Sequence, residues 1–191
     1  MPLFFSIIGF LKMTKTVKIN DIEYPVYCTV EEAEQYFATK LDDSQWKTLN
    51  EEDKAKVLVE ATRKLNTLKY EGFPVSLDQP LAFPRYFKPN FLSKRTYTSE
   101  ANAIEVNGKS LILIEMPKEM ICACCEQAFF VAEYAGLSGK SVHIKNQRLG
   151  ISSINIGGGN VSYNGNYLLL EACSEATQYI DKYLIKSARV V

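Results

Sequence analysis

Between Phe73 and Pro89 the chain carries four prolines, in the run FPVSLDQPLAFPRYFKP. Each proline removes a backbone donor, fixes φ and biases the residue before it away from helix. The run therefore predicts neither helix nor central strand. Gly72 stands just ahead of it and ends the preceding helical pattern. Whatever the fold, it is assembled from elements on the two sides of this stiff connection. Within it, QPLAFPR (Gln79–Arg85) reads as a clasp. Pro80 and Pro84 hold the chain extended, and Leu81 and Phe83 pin it onto the helix before it. Arg85 is left to pair with a carboxylate or a helix C-terminus.

Upstream, Thr29 and Glu32 form a capping box for a short helix from Val30 to about Thr39. LDDSQWKTL reads as a loop or single turn carrying Trp46, the one tryptophan. In NEEDKAKVLVEATRKLNTLKY, Asn50 is an N-cap, and Glu51, Glu52 and Asp53 sit at the positive end of the helix dipole. Ala55, Leu58, Val59, Thr62, Leu65 and Leu68 recur at helical spacing, with Arg63 and Lys64 on the other faces. Downstream, Asn107–Gly108 between apolar stretches signals a β-hairpin. MPKEMICACCEQAFFVAEYAG is a second long helix, with Pro117 at its start, Gly136 after its end and a stripe of Ile121, Cys124, Cys125, Ala128, Phe129 and Ala132. VHIKNQRLGISSINIGGGNVSY reads as two extended pieces split by glycines. A third helix follows, with Leu169, Ala172, Ala176, Tyr179, Ile180 and Tyr183 sharing a face.

The fold class these elements imply is mainly α: a small bundle of three to four helices with a β-hairpin and extended-arm excursion. Residues 1–25 read as an N-terminal arm. Residues 26–191 read as one helical domain, with a hairpin insertion at about 86–115 and an extended segment at about 142–163. The apolar MPLFFSIIGFL is too short to span a bilayer and lacks the basic start and cleavage site of a signal peptide, so no membrane partner is expected.

Catalysis finds little support. The single His143 has no neighbouring acidic motif, and Gly157–Gly159 lacks the Lys-Ser/Thr of a phosphate loop. Cys122–Cys125 has no second knuckle to complete a zinc site and reads as small residues in a tight helix interface. The expectation is a non-enzyme without metal or cofactor, and the odd cysteine number, five, points to a reducing compartment. The 22 basic residues balance 22 acidic ones, which argues against a strong DNA grip by a lone subunit. One stretch mixes aromatics with cations: Tyr86, Phe87, Phe91 and Tyr97 with Lys88, Lys94 and Arg95. It suits stacking on single-stranded nucleic acid or a subunit interface, and the interface is the favoured reading.

The order of motifs resembles a tailed-phage family. TVEEAEQYFATKLDDSQW, then EEDKAKVLVEATRKLNTLKYEGFPVSLDQPLAFPR, is similar to its short helix before a tryptophan, its A-E-ATR-L helix and its Q-L-(W/F)PR signature. EMPKEMICACCEQAFFVAEYAG and RLGISSINIGGGNVSY resemble later elements, more loosely; Phe83 stands where tryptophan is commoner. The family comprises head–tail connector (adaptor, head completion) proteins, often labelled DnaT-like single-stranded-DNA-binding proteins. The resemblance implies a virion structural subunit at the head–tail junction, present in the host cytoplasm before assembly. Its partners would be copies of itself in a ring, commonly a dodecamer, with a portal protein, a tail or stopper protein and the double-stranded DNA of the channel. Single-stranded-DNA binding is the alternative. The candidate structural and interface residues are Trp46, Arg63, Phe83, Pro84, Arg85, Tyr86, Phe87, Lys94, Arg95 and Tyr163.

Overall fold

The computed structural model describes residues 14–88, 102–106, 108–134, 153–156, 159–162 and 172–185. It begins with an antiparallel hairpin, β1 (Lys15–Ile19) and β2 (Ile22–Val26), in the register Lys15↔Val26 to Ile19↔Ile22. Asn20 and Asp21 make its turn, both at positive φ (48° and 64°), as the right-handed twist of a two-residue loop demands. Val17 and Val26 of this hairpin are buried in the core.

Helix α1 (Val30–Phe37) starts where the capping box requires. The Glu32 N–H donates to Thr29 Oγ1 at 3.3 Å, and the Thr29 N–H donates to Glu32 Oε2 at 3.0 Å. α2 (Ser44–Lys47) is a single turn that delivers Trp46 into the core against Phe37, with ring centroids 4.6 Å apart. α3 (Glu51–Asn66) is capped by Asn50, whose Oδ1 accepts from the Asp53 N–H at 2.8 Å. Ala55, Leu58, Val59, Thr62 and Leu65 are buried on it, with Val57 and Ala61 as well. Leu68, beyond the helix end, is half-buried against the same core.

The proline-rich connection contains β3 (Phe73–Pro74) and β4 (Arg85–Phe87), and the hairpin after it contains β5 (Asn102–Val106) and β6 (Lys109–Ile114). These four form one antiparallel sheet in the order β3-β4-β6-β5. Gly108 turns the hairpin at φ +71°. α4 (Lys118–Tyr134) packs on α3 and on α5 (Ser174–Ile180), which runs into a 3₁₀ turn at Asp181–Tyr183. Ala123, Cys124, Cys125, Ala128 and Ala132 are buried along α4, and their small side chains let three helices approach closely. β7 (Ser153–Ile156) and β8 (Gly159–Ser162) make a separate hairpin, within the stretch read as two extended pieces.

Two expectations are corrected. The molecule is not a mainly α bundle but a mixed α/β fold, because a four-stranded sheet packs with the helices around one core. Phe87, Ile112 and Ile114 of that sheet join Leu58, Leu65 and Met120 in a single cluster. Second, Arg85–Phe87 is an interior strand despite the prolines flanking it. Pro84 and Pro89 lie outside the three paired residues, so no ladder donor is lost. Arg85↔Ile114 and Phe87↔Ile112 pair on one side, Pro74↔Arg85 and Phe73↔Tyr86 on the other. The third helix is also shorter within the described residues than its apolar spacing suggests. Cys173 is its N-cap, and Ala172 precedes the helix while still being buried.

Candidate functional site

The sequence-predicted residues fall into two groups. Phe83, Pro84, Arg85, Tyr86 and Phe87 come together where the proline-rich connection meets the sheet. Phe83, 1% exposed, is ringed by aromatics: Tyr70 edge-on at 5.4 Å, Tyr183 edge-on at 5.5 Å and Phe87 stacked at 6.4 Å. The Phe83–Pro84 peptide is cis. The Pro84 carbonyl accepts from Gln79 Nε2 at 3.0 Å, and the same amide donates to the Leu81 carbonyl at 2.7 Å, closing the loop on itself.

Among the described residues the partners of Arg85 are neither a carboxylate nor the last carbonyls of a helix, the two expected kinds. Its guanidinium donates to main-chain carbonyls of the turn that follows α3: Nε to Glu71 at 2.9 Å, Nη2 to Gly72 at 2.9 Å and to Tyr70 at 3.3 Å. Nη1 adds the Ala82 carbonyl at 3.2 Å. The Tyr70 ring lies 5.9 Å from the guanidinium carbon. Burial lowers the arginine's pKa from its ordinary value, with the neighbouring Tyr27 and Tyr70 hydroxyls opposing the shift. The fork thus holds three successive carbonyls, which a lysine's point charge would not match.

The same turn is fixed from its other side. The Glu71 N–H donates to the Tyr183 carbonyl at 2.8 Å, and the Ile185 N–H donates to the Lys69 carbonyl at 2.9 Å. Gly72 has φ +69°, and a Cβ placed there would sit 2.2 Å from the Tyr86 carbonyl oxygen. Tyr27 completes the enclosure. Its buried hydroxyl donates to Asn66 Oδ1 and accepts from the Ala82 N–H at 2.9 Å. Desolvation raises its pKa far above that of a free tyrosine.

The remaining candidates lie elsewhere. Trp46 is buried, donating Nε1–H to Glu34 Oε1 at 3.0 Å under the Lys54 ammonium, 5.7 Å from the ring centroid. Arg63 is exposed and 3.9 Å from Glu60. Lys94, Arg95 and Tyr163 lie outside the described residues, as do Phe91, Tyr97 and His143. Phe87, offered with Tyr86 as part of an aromatic–basic surface, is fully buried and unavailable for stacking. Tyr86 is half-buried beside Phe73, with centroids 5.7 Å apart.

A second polar centre was not read from the sequence. Glu126, on α4 and 8% exposed, accepts from Lys40 Nζ at 2.6 and 2.9 Å and from the Tyr36 hydroxyl. Tyr36 is also 3.1 Å from the Tyr179 hydroxyl of α5. The arrangement ties three helices together around one carboxylate. A glutamate in the middle of a mostly apolar helix, between Cys125 and Ala128, was the available signal. Among the described residues no group of three or more His, Cys, Asp or Glu converges as a metal site, and no helix is long and apolar enough to cross a membrane.

The geometry is that of a packed aromatic clasp holding a turn. Lys15, Lys40, Lys54, Lys56 and Lys182 bond carboxylates of the same chain. No curated protein and no solved structure matches the chain. A family model does, over residues 21–187, from the N-terminal hairpin past the 3₁₀ turn. On that extent the chain belongs to the family described as "Putative DnaT-like ssDNA binding protein".

Proposed function

We propose that the chain is a non-catalytic, DNA-associated protein whose ligand is single-stranded DNA. The observation that carries this reading is the family match across residues 21–187. The sequence adds one stretch of suitable chemistry, Lys94 and Arg95 beside Phe91 and Tyr97. Aromatic rings interleaved with cations are the chemistry that holds unpaired bases.

The test is fluorescence anisotropy of a labelled oligothymidylate across a sodium chloride series. Replacing both Lys94 and Arg95 by alanine weakens binding. If both touch phosphate, the log–log salt slope also becomes shallower by about 1.4, at roughly 0.7 per contact. Alanines at the exposed Lys69 and Lys109 leave the slope unchanged. No salt-dependent binding by the wild-type chain refutes the reading.

A second reading, a head–tail connector subunit, is favoured by the inward packing of the aromatic stretch, where Phe87 is fully buried and not free to stack on a base. Here copies of the chain form a ring, commonly a dodecamer, between a portal protein and a tail or stopper protein, around the double-stranded DNA of a virion. Electron microscopy of the protein mixed with a portal distinguishes the two. Stacked rings, together with absent oligonucleotide binding, select the connector.

A further inference from the structure

Cys28 ends the exit from β2, one residue before the cap of α1, and Cys125 lies in the middle of α4. Their sulfurs are 3.4 Å apart, both side chains are buried, and 97 residues of chain separate them. The other thiols are engaged differently. Cys124 Sγ faces Thr62 Oγ1 at 3.7 Å, Cys173 Sγ accepts the Ala176 N–H at 3.5 Å, and Cys122 is half-buried. One pair of the five is therefore in sulfur–sulfur contact across two elements with no covalent link between them.

We propose that Cys28 and Cys125 are a redox latch, oxidised by a small-molecule disulfide to an intramolecular disulfide that ties the β2–α1 junction to α4. A bonded pair lies at about 2.05 Å, so the sulfurs close by roughly 1.4 Å. One protein thiolate attacks the reagent disulfide, forming a mixed disulfide and expelling a reagent thiolate. The second protein thiol then loses its proton and attacks the protein sulfur of that mixed disulfide, expelling the second reagent thiolate. Two protein thiols are oxidised, one reagent disulfide is reduced to two thiols, and the two protons end on the released thiolates. Contact with Cys28, then burial, raises the pKa of the Cys125 thiol, and burial raises that of Cys124. The reaction is accordingly slow and proceeds when the N-terminal hairpin transiently opens. The closed latch encloses α1, α2, α3 and the sheet in one covalent loop, which restricts the unfolded chain.

The experiment incubates the native full-length chain with oxidised glutathione, alkylates the remaining thiols and maps peptides by mass spectrometry. The expected result is a Cys28–Cys125 linked peptide, three alkylated cysteines instead of five and a higher thermal midpoint that dithiothreitol reverses. Cys122→Ser keeps the linked peptide, and Cys125→Ala, a small buried replacement, abolishes it. Five free thiols after prolonged incubation, glutathione adducts alone, or a link involving Cys122, Cys124 or Cys173 overturns the proposal.

Discussion

Gly72→Ala is the sharpest test of the clasp. The residue sits at φ +69°, where an L side chain is strained by about 1–2 kcal/mol. Its new Cβ would lie 2.2 Å from the Tyr86 carbonyl oxygen and 3.2 Å from the Phe87 ring. The first obstacle is backbone within β4, so no rotamer change relieves it. The turn must move by roughly 1 Å, and the Phe73↔Tyr86 pairing and the Arg85 bonds to Glu71 and Gly72 move with it. Losing one or two charge-assisted bonds adds about 2–3 kcal/mol, so the total is about 3–5 kcal/mol. Gly108→Ala is the matched control. It has φ +71° with nothing within 4 Å, so it costs the backbone strain alone, about 1–2 kcal/mol. Urea unfolding followed by the fluorescence of the one tryptophan, Trp46, reads both variants. By melting, the larger loss is a drop of about 6–20 °C for a chain of this size. Equal losses in the two variants would refute the close approach of the turn to β4.

Three further substitutions probe the same frame. Phe83→Ala removes a ring enclosed by Tyr70, Phe87 and Tyr183 and costs about 3–5 kcal/mol in denaturant; an unchanged midpoint means the ring is not enclosed. Arg85→Lys keeps the charge but cannot span the carbonyls of Tyr70, Glu71 and Gly72, so it costs about 2 kcal/mol, with circular dichroism unchanged. Glu119 is held below the usual carboxylate range: burial pushes its pKa up, but Lys182, its own backbone N–H and the Tyr183 hydroxyl outweigh it. A depressed carboxylate pKa gives stability that is complete above the unfolded value, about 4.3, and is lost as pH falls through the lower folded value. Glu119→Gln therefore lowers the stability at neutral pH by only a few tenths of a kcal/mol, up to about 1, because the Lys182–Glu119 pair is partly exposed and screened, and it flattens the decline on the acid side. A wild-type acid profile in that variant contradicts the assignment.

The helices were readable because each carries its own signal. Thr29 and Glu32 bond each other's backbone, Asn50 caps α3, and the apolar spacing of Leu58, Thr62 and Leu65 matches their burial. The Asn107–Gly108 hairpin was readable for the same local reason. The four-stranded sheet was not. β4 is three residues long, and its strand character comes from β3 and β6, whose nearest pairs Pro74↔Arg85 and Phe87↔Ile112 are 11 and 25 residues apart in sequence. Prolines advertise what a segment cannot donate, and say nothing about a neighbour that can pair between them. The N-terminal hairpin was missed because Asn20–Asp21 is a weaker turn signal than Asn-Gly, and Pro25 inside β2 obscures the alternation. The Arg85 fork was foreseen as a partner-seeking cation. That it would choose three consecutive carbonyls depends on Gly72 turning the chain back toward it, a tertiary fact.

These placements bear on where binding can reside. The proline-rich clasp spends its aromatic rings inward, on Tyr70, Tyr183 and Phe87, and its arginine on main-chain oxygens. Neither is left to meet a base or a phosphate. The clasp instead fixes β4, whose C-terminal neighbour Lys88 is exposed and leads in sequence to Lys94 and Arg95 before the chain returns as β5. In sequence the basic residues thus lie between two strands of one sheet, β4 and β5, which flank β6. On the proposed function, loosening the clasp lets β4 fray and so weakens the hold of the fold on the sequence that leads to Lys94 and Arg95. Arg85→Lys should then weaken oligonucleotide binding while leaving the salt slope intact, because no phosphate contact is removed. Loss of Lys94 and Arg95 changes both. A common change in slope would show that Arg85 itself meets phosphate, against its four carbonyl bonds.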